Sequence, residues 1–505
     1  MYDLVVLGGG TAGLVAAIVA GELGARVALV ERASTGGDCL WTGCVPSKAL
    51  IAAAGLAQRF RRADRVGLEP VEPRVDFARV MDHVRGVREQ IAPHDSPERL
   101  RRSGVEVIEA EGAFVAPGVV SADRRRLAAR KFLIATGSRP LLPDIPGLAA
   151  SAPLTTDTVW DIEDRPDRLL VIGGAATGCE LAQAFVRLGS TVTLVEGEPT
   201  LLPREEPEAQ ALVARRLGEE GVDVRLGARA TLVERGQVHL EADGGGNGDR
   251  ASGAPAQPGA SSVPFDRILV AAGRRPDTAG LGLEAVGVEV DRNSAVRVDR
   301  RLRTSARGVY AAGDVTGELA FTHVAAYHAR IAVANALFGL PQRVDYRAVP
   351  WVTFTDPEVA RVGLSEADAR ERWGRRTQVA RYPYAELDRA IVAGETEGFA
   401  KLVSDPRGRL VGATIAATSG GEAVGELAAR IASGGTVVGL SQAVHAYPTF
   451  AEGAVRAAED RALRRWTAPP ARALTRSALG LLRILDRIRP RDAGSPARTR
   501  TDSHD

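Results

Sequence analysis

The sequence predicts an α/β fold organised around two copies of one strand–helix–strand unit. The first copy starts with the apolar run Leu4–Leu7, continues through a glycine-rich turn and an apolar helix to Leu23, and closes with the strand 26–30. The second copy spans 170–195 and repeats each element at one constant offset along the chain. At 505 residues the chain is too long for a single hydrophobic core, so we expect several domains.

Each copy has the glycine-rich turn and terminal acid of a Rossmann-like dinucleotide-binding unit. The glycines let backbone N–H groups approach a pyrophosphate at a helix N-terminus, and the acid binds ribose hydroxyls. These residues are Gly8, Gly10, Gly13 and Glu31 in the first copy, and Gly173, Gly178 and Glu196 in the second. The second copy has Ala175 in place of the middle glycine, and we expect its methyl group to weaken cofactor binding without abolishing it. Two such units predict two bound dinucleotides.

The composition excludes several other classes of protein. Hydrophobic residues make up 45% and charged residues 25% of the chain, and the net charge of +2 gives no reason to expect nucleic-acid binding. Three cysteines in this length do not form a secreted disulfide framework, so we expect a cytoplasmic protein. The uncharged run Leu4–Gly21 is long enough for a membrane span, but its glycines and strand-like start argue against one.

The stretch 36–48, GGDCLWTGCVPSK, is the candidate redox centre. Cys39 and Cys44 can close a small disulfide ring, and beside a flavin such a ring can pass two electrons. The alternatives are two buried cysteines or half of a zinc site. A zinc site normally uses closer cysteine pairs and two further ligands, for which Cys179 alone does not suffice. Lys48 is one of only three lysines in an arginine-rich chain, which suggests that arginine would not serve there.

The motif G-G-x-C-x4-C-V-P-S-K resembles that of the flavin-dependent pyridine nucleotide–disulfide oxidoreductases, the family of lipoamide dehydrogenase, glutathione reductase and mercuric reductase. The resemblance implies two Rossmann-like domains, for FAD and NAD(P), and an α+β C-terminal dimerisation domain. It implies that Cys44 is the thiol next to the flavin and that Cys39 exchanges with substrate. Lys48 and Glu180 match the family's ion pair near flavin N5.

The same resemblance implies further contacts to the cofactors. Gly112 matches an adenine-side contact, and Asp314 matches the residue that binds a ribityl hydroxyl. A helix beginning at Thr322 and His323 would direct its N–H groups at the flavin, whereas the rings of His323 and His328 are expected to serve packing. Glu196 favours NADH over NADPH, because a carboxylate repels a 2′-phosphate, although Arg204 lies close enough in sequence to soften that choice. The full set adds Gly37, Lys48, Thr136, Gly137 and Gly273.

The predicted domains are an FAD-binding domain in two parts, 1–150 and 281–344, an NAD(P)-binding domain, 151–280, a dimerisation domain, 345–465, and a basic tail, 466–505. Helices are predicted over 47–60 and 77–90, and a flexible insertion over 243–264. The tail contains a potential basic amphipathic helix, 473–488, that could touch a membrane surface or a partner; the alternative is a solvated tail with a disordered end.

The segment 445–452, HAYPTFAE, carries the informative departure from the family. Glutathione reductase and lipoamide dehydrogenase have His-Pro-Thr here, and that imidazole completes the partner subunit's site as acid–base catalyst. This chain has Tyr447 in its place and keeps Glu452, so we expect a homodimer in which Tyr447 and Glu452 serve the other subunit. A phenol is a poor base near neutral pH. Mercuric reductases also have tyrosine at this position, but they end in a vicinal cysteine pair that this chain lacks. His445 could act as base only with a shifted backbone.

Three functional hypotheses follow. The first is a mercuric-reductase-like enzyme that acts on Hg(II) or a small disulfide, without a resident metal site. The second is a lipoamide-dehydrogenase-like enzyme or an NAD(P)H:quinone or other acceptor reductase. The third is a flavoprotein whose main role is binding to a partner or membrane through its tail.

Overall fold

The N-terminal domain is a sheet flanked by helices. The computed structural model describes residues 1–242 and 261–488. The elements of this domain are β1 (Tyr2–Leu7), α1 (Thr11–Glu22), β2 (Val27–Glu31), α2 (Gly37–Trp41), α3 (Cys44–Arg61), α4 (Phe77–Ile91), α5 (Pro97–Arg102), β3 (Val105–Glu109), β4 (Gly112–Ala116), β5 (Val119–Ala122), β6 (Arg125–Ile134) and β7 (Ser138–Pro140). The sheet order is β3-β2-β1-β6-β5-β4, and β1 pairs in parallel with β2 and β6.

The helix after the cysteine pair begins earlier than predicted. We expected it at Ser47, after Pro46, but α3 starts at Cys44. Proline in the first helical turn costs no hydrogen bond, because the first N–H groups of a helix have no intrahelical partner. Cys44 is therefore the first residue of a helix. The helix predicted over 77–90 is confirmed as α4, whose N-cap residue Asp76 accepts a hydrogen bond from the Arg79 N–H.

The second strand–helix–strand unit forms its own parallel sheet, with order β11-β10-β9-β15-β8. Its elements are β8 (Leu154–Thr155), β9 (Arg168–Ile172), α6 (Ala176–Arg187), β10 (Thr191–Glu196), α7 (Pro207–Glu219), β11 (Asp223–Leu226), β12 (Ala228–Glu234), β13 (Gln237–Ala242), β14 (Ser261–Pro264), β15 (Arg267–Val270) and β16 (Arg274–Pro276). Most of the insertion predicted over 243–264 lies outside the described residues. Its last four residues form β14, because they pair with β13 and bury Val263.

The chain then returns to the first domain through β17 (Val309–Ala311), which pairs with β6, and α8 (Thr322–Phe338), which packs on α1. An antiparallel sheet with order β18-β19-β22-β21-β20 follows. The C-terminal elements are β18 (Pro350–Thr353), β19 (Glu358–Gly363), α9 (Glu366–Trp373), β20 (Gln378–Pro383), α10 (Asp388–Ala393), β21 (Phe399–Ser404), β22 (Leu410–Ala417), α11 (Gly420–Ala432), α12 (Val437–Ser441), α13 (Glu452–Thr467) and α14 (Pro469–Ile488). The predicted fold class is confirmed.

Helix α6 is held against the loop after β18 over two turns. Gln183 exchanges two hydrogen bonds with the backbone of Asp356, at 3.0 and 2.8 Å. One turn further on, the buried Arg187 guanidinium lies 2.6 Å from Glu220 and 2.9 Å from the Asp356 carboxylate. These polar contacts join the second nucleotide-binding unit to the C-terminal domain.

A buried lysine makes a second polar contact between the same two domains. Lys401 is 2% exposed, and its ammonium group lies 2.5 Å from Glu208, 3.0 Å from Glu366 and 3.3 Å from Glu206. Two of these glutamates belong to the start of α7 and the third to α9. One cation therefore bridges carboxylates from both sides of the boundary.

The helical stretch Gly37–Arg61 is the one segment in the described ranges that is long and apolar enough to cross a membrane, by length and composition alone. It comprises α2 and α3, and α3 packs against both α4 and α6. The uncharged run Leu4–Gly21 noted in the sequence divides into β1 and most of α1.

Candidate functional site

The two glycine-rich turns are built alike. In the first, the Gly9 N–H donates to Glu31 Oε2 at 2.5 Å and the Ala33 N–H to Oε1 at 2.8 Å. In the second, Glu196 accepts from Gly174 at 2.6 Å and from Glu198 at 2.9 Å. Each carboxylate is thereby held at the end of its second strand, beside the glycine-rich turn, where the ribose of a dinucleotide would lie.

The third glycine of each turn allows the helix to pack closely. A Cβ atom at Gly13 would lie 1.8 Å from the Gly8 carbonyl oxygen, and one at Gly178 would lie 1.8 Å from the Gly173 oxygen. Any side chain there would push α1 or α6 off its sheet. These glycines serve the geometry of the turn and need not touch a cofactor.

Ala175 adopts the backbone conformation of Gly10, its counterpart in the first copy. Its φ and ψ are −76° and −177°, against −76° and −174° for Gly10. Alanine takes this extended conformation without strain. The methyl group therefore affects only the space left for a ligand, which keeps the prediction of weakened binding in place.

A single large cleft of about 940 Å³ brings most of the predicted residues together. It is lined by Gly8, Gly10, Glu31, Gly37, Cys39, Cys44, Lys48, Gly112, Thr136, Gly137, Glu180, Gly273, Asp314 and Thr322. The cleft does not include Gly13, Gly173, Gly178, Glu196, His323, Tyr447 or Glu452. The second turn still reaches its edge, because Ala175 and Ala176 line the cleft. A ligand on the second turn would thus approach one in the first.

The two cysteines of the cleft are thiols with different acidity. Cys44 is the first residue of α3, where the helix N-terminus favours a negative charge. A hydrogen bond from Cys39 lowers the pKa of Cys44 to about 6, with help from the Thr322 hydroxyl, 3.4 Å away, and from the Lys48 charge. The same hydrogen bond, together with burial, raises the pKa of Cys39. Near neutral pH the pair therefore holds one thiolate, on Cys44.

Lys48 and Glu180 form a partly buried ion pair beside the sulfurs. Lys48 Nζ lies 2.8 Å from Glu180 Oε2, and the Glu180 side chain is only 5% exposed. The Phe354 N–H donates to Glu180 Oε1 at 2.7 Å, and the Lys48 ammonium group lies 4.6 Å from the centre of the Phe354 ring. Glu180 is therefore not a surface charge of α6. Its Oε1 is fixed by the Phe354 N–H, so its Oε2 can orient Lys48 in the cleft.

Sequence reasoning missed the polar network of Asp38 and Arg274. These two residues form an ion pair, and Arg274 Nε donates to Ser138 Oγ at 2.9 Å. The Ser138 hydroxyl in turn donates to Asp314 Oδ2 at 2.9 Å. Burial raises the pKa of Asp38 to about 6, Arg274 opposes the shift, and neighbouring carboxylates add to it. Both residues directly follow a predicted site glycine, which is the sequence signal that could have found them.

The N-terminus of α8 faces the cleft through Thr322. Within residues 1–242 and 261–488 no side chain caps this helix, so its first N–H groups are available to a ligand. His323, predicted as part of the cofactor site, does not line the cleft, because its ring bonds to the Pro350 carbonyl at 2.8 Å and stacks on Phe321. The buried His328 accepts a hydrogen bond from the Gly313 N–H, and burial lowers its pKa to about 4. The His328 ring is thus buried in the fold, whereas the exposed His323 ring stacks on Phe321.

The residues present fit FAD. Two helix N-termini without side-chain caps, those of α1 and α8, contribute to one cleft, and they suit an anionic pyrophosphate and an electron-rich ring edge. Thr42 Oγ1 lines the same cleft as a buried polar atom without a hydrogen-bond partner among the described residues. Gly8, Gly10 and Glu31 would hold the adenosine diphosphate half, and Asp314 the ribityl chain.

Tyr447 and Glu452 lie in the C-terminal domain, away from the cleft of their own chain. Tyr447 is 65% exposed, and its hydroxyl donates to Asp388 Oδ2 at 2.9 Å. That hydrogen bond and the Asp388 charge raise the pKa of Tyr447. Glu452 is buried and accepts a hydrogen bond from the Thr449 N–H at 3.1 Å. It therefore braces the loop that carries Tyr447.

His445 is held within its own chain. One ring nitrogen lies 2.8 Å from the Ala443 carbonyl and the other 2.9 Å from Glu426 Oε2. Both ring nitrogens are therefore engaged by groups of their own chain. The idea that His445 substitutes for the family's base is therefore not supported by its position.

Comparison with known proteins agrees with this geometry. A model described as pyridine nucleotide-disulphide oxidoreductase matches residues 2–329, and one for the dimerisation domain of the same proteins matches 349–458. The chain is 37% identical to a dihydrolipoyl dehydrogenase from Thermus scotoductus, over 91% of this chain and 97% of that protein. It is 36% identical to a mercuric reductase from Streptomyces lividans, over 91% and 96%. The structure of the HOCl-induced flavoprotein disulfide reductase RclA from Escherichia coli, in a Cu(II) complex, superposes with a TM-score of 0.78 at 28% identity, over 90% of this chain and 98% of that one.

Proposed function

The chain belongs to the pyridine nucleotide–disulphide oxidoreductase family. On that premise we propose that it uses electrons from NADH to reduce a metal ion that binds to thiols. It is a flavin-dependent enzyme with a redox-active cysteine pair. Electrons would pass from the nicotinamide through FAD to the Cys39–Cys44 pair and on to the substrate. With Hg(II) as substrate, NADH and Hg(II) would give NAD⁺, one proton and elemental mercury.

Four residues of the cleft have a defined part in this proposal. FAD, when bound, would carry two electrons from the nicotinamide to the sulfurs. Lys48, oriented by Glu180, places a positive charge beside the centre and stabilises the Cys44 thiolate. Cys39 and Cys44 receive the substrate, Cys39 as the thiol that meets it first.

The observation that carries the metal assignment is the Tyr447–Asp388 hydrogen bond. Because the phenol O–H donates its hydrogen bond to Asp388 within its own chain, the phenolic oxygen offers only its lone pairs to a bound substrate. Exchange with an organic disulfide needs a base that activates Cys39, whose pKa is raised, and an acid for the leaving thiolate. Neither Tyr447 nor His445 supplies such a group. An oxygen donor beside two sulfurs suits a metal ion.

A thiophilic metal removes the need for a base. Binding of a soft cation displaces the proton of a coordinating thiol, so a raised pKa at Cys39 does not block the reaction. Soft thiolates select soft metals. Among similar proteins, one is named mercuric reductase and another was solved as a Cu(II) complex, which supports a metal substrate for this chain.

We propose NADH as the electron donor and a cytoplasmic homodimer as the working form. Glu196 and the adjacent acidic Glu198 would repel the 2′-phosphate of NADPH. The dimerisation domain indicates pairing of two chains. Val444 is fully exposed and Tyr447 largely so, as expected of a loop that enters a second subunit. Tyr447, with its loop braced by Glu452, would complete the partner's site.

The test is an anaerobic titration of the purified protein with NADH, followed by an Hg(II)–thiol complex. A long-wavelength charge-transfer band on two-electron reduction is expected, then steady NADH oxidation driven by Hg(II). Glutathione disulfide and lipoamide should be turned over at least about 100-fold more slowly, because no acid–base group serves them. Absence of the band would refute redox coupling of the cysteines. Inhibition by Hg(II) without turnover would refute the metal and favour the disulfide or quinone alternatives.

The matched variants Tyr447→Phe and Asp388→Asn test the role of the Tyr447–Asp388 hydrogen bond. Removing the phenolic oxygen should raise KM for Hg(II) by about tenfold, with a smaller effect on kcat. Asp388→Asn keeps the oxygen but loosens its orientation, so we expect a smaller rise in KM. An equal KM for Hg(II) in wild type and Tyr447→Phe would show that the phenolic oxygen does not take part in metal binding.

A further inference from the structure

Helix α14 is an amphipathic helix whose residues are mostly exposed. Its main packing neighbour is α13, and among residues 469–486 all but Ala471 and Gly480 are exposed. Leu474, Leu481 and Leu485 follow helical spacing along one side, with exposures of 74%, 59% and 47%. Leu482 and Ile484, each 54% exposed, widen this apolar side in both directions.

The opposite side of α14 carries three arginines, together with Leu479, which is 46% exposed, and Asp486 at its edge. Arg472, Arg476 and Arg483 lie close to 180° around the helix from Leu474, by the 100° rotation per residue of an α-helix. None of the three forms an ion pair within the described ranges. The segment 466–505 contains eight arginines and four aspartates, a net charge of +4, while the whole chain has +2. The positive charge of the protein is therefore concentrated in its tail.

We propose that α14 docks the enzyme on an anionic membrane surface. A helix with a broad exposed leucine face and an arginine face is the pattern of an interfacial helix, which lies in the membrane plane with its apolar side in the acyl boundary. The arginines complement anionic headgroups. With 20 residues, α14 is about 30 Å long, which would suffice for a span, but Arg472, Arg476, Arg483 and Asp486 are too costly to bury in the acyl core, so the helix lies along the surface. The site is independent of the flavin cleft.

A second copy of the chain fits this face less well. In a two-helix seam the positions beside the apolar stripe are usually charged, but here they are Leu482 and Ile484, so the apolar side is too wide for one helix to cover. Two copies would also bring together two tails of the same positive charge. The matched dimerisation domain ends at residue 458, before α14 begins.

The experiment measures co-sedimentation of the full-length holoenzyme with vesicles of phosphatidylcholine, with and without phosphatidylglycerol. Binding is expected only to the vesicles that contain phosphatidylglycerol, and it should weaken as salt is raised. The double variant Leu481→Asp/Leu485→Asp should lower the partition coefficient at least about tenfold, because it places charge in the acyl boundary. Leu68→Asp/Val71→Asp is the matched control, since it adds the same charge at two exposed apolar residues elsewhere and should bind normally.

Three results would overturn the proposal. They are equal binding to neutral and anionic vesicles, normal binding of the α14 double variant, or loss of dimer by light scattering in that variant without any vesicle binding by the wild type. Should the double variant not fold, a chain that ends at Thr467 replaces it, and normal vesicle binding by that chain would equally refute the role of α14. NADH-driven reduction of a soluble dye should be the same in all folded variants.

Discussion

The acidity of Cys44 offers the sharpest test of the cleft, and Thr322→Val is the cleanest change. Thr322 is the first residue of α8, and its hydroxyl lies 3.4 Å from Cys44 Sγ. Valine keeps the shape of threonine and removes the hydroxyl that lies beside the Cys44 sulfur. The pKa of Cys44, lowered to about 6 by Cys39, Thr322 and Lys48 together, should rise when one of these contributions is lost.

The size of the rise follows from the hydrogen bond. A hydrogen bond to a charged group contributes about 1.5–3 kcal/mol when buried and short. At 3.4 Å and on an exposed sulfur, about 1 kcal/mol is a fairer value, and at about 1.4 kcal/mol per pKa unit it corresponds to a rise of about 0.7 unit. The assay is a pH titration of the charge-transfer absorbance in the two-electron-reduced enzyme. Because the band needs the thiolate, it should fade as pH drops through about 6 in the wild type, and at a higher pH in the variant.

Thr11→Val is the matched control for this change. Thr11 is also the first residue of a helix and lines the same cleft, but no hydrogen bond joins it to either sulfur among the described contacts. Its midpoint should equal that of the wild type. An unchanged or lowered midpoint in Thr322→Val would show that the Thr322 hydroxyl does not stabilise the thiolate, and the assignment of α8 to the sulfur side of the cleft would fail.

Three further predictions concern the exchange thiol, the nicotinamide and the domain boundary. Cys39→Ser should lower Hg(II)-driven turnover at least about 100-fold while a thiolate remains on Cys44; retained turnover in stopped-flow assays would make Cys39 dispensable. Glu196→Ala should raise KM for NADH about tenfold and narrow the preference over NADPH, which steady-state kinetics with both donors would measure; unchanged selectivity would argue against Glu196 as its source. Arg187→Met should destabilise the protein by about 3 kcal/mol in urea unfolding, because Glu220 is left buried and unpaired, and adding Glu220→Gln should recover part of that loss.

The architecture could be predicted because its signals are local and periodic. The strands, the glycine turns and the acids of both nucleotide units follow fixed spacings, so their positions were predictable to within a few residues. The helix predicted from Ser47 begins three residues earlier, at Cys44, because a proline such as Pro46 is tolerated in a first turn. The prediction for Thr322 and His323 concerned their backbone N–H groups, and the position of a helix start is again a local signal: α8 begins at Thr322.

The parts of the site that sequence reasoning missed depend on long-range contacts. Arg274 reaches Asp38 across 236 residues, and Tyr447 reaches Asp388 across 59. No periodicity links such pairs, and their side-chain types are common on any surface. The position of His445 is a similar case, because this loop residue is bound by Glu426 of helix α11. Only the folded chain shows that these groups are already engaged.

The contacts of α6 bear on how this protein can be recombined with its relatives. Glu180, Gln183 and Arg187 occur at successive turns of one helix, and all three bond to the short loop 354–356 of the C-terminal domain. The nucleotide-binding segment therefore cannot be replaced independently of the C-terminal domain. A chimera that imports this segment from another family member should retain activity only if the donor supplies the same three side chains, or if residues 354–356 are transplanted with it. Over evolutionary time the two stretches are expected to change together, although more than 160 residues separate them.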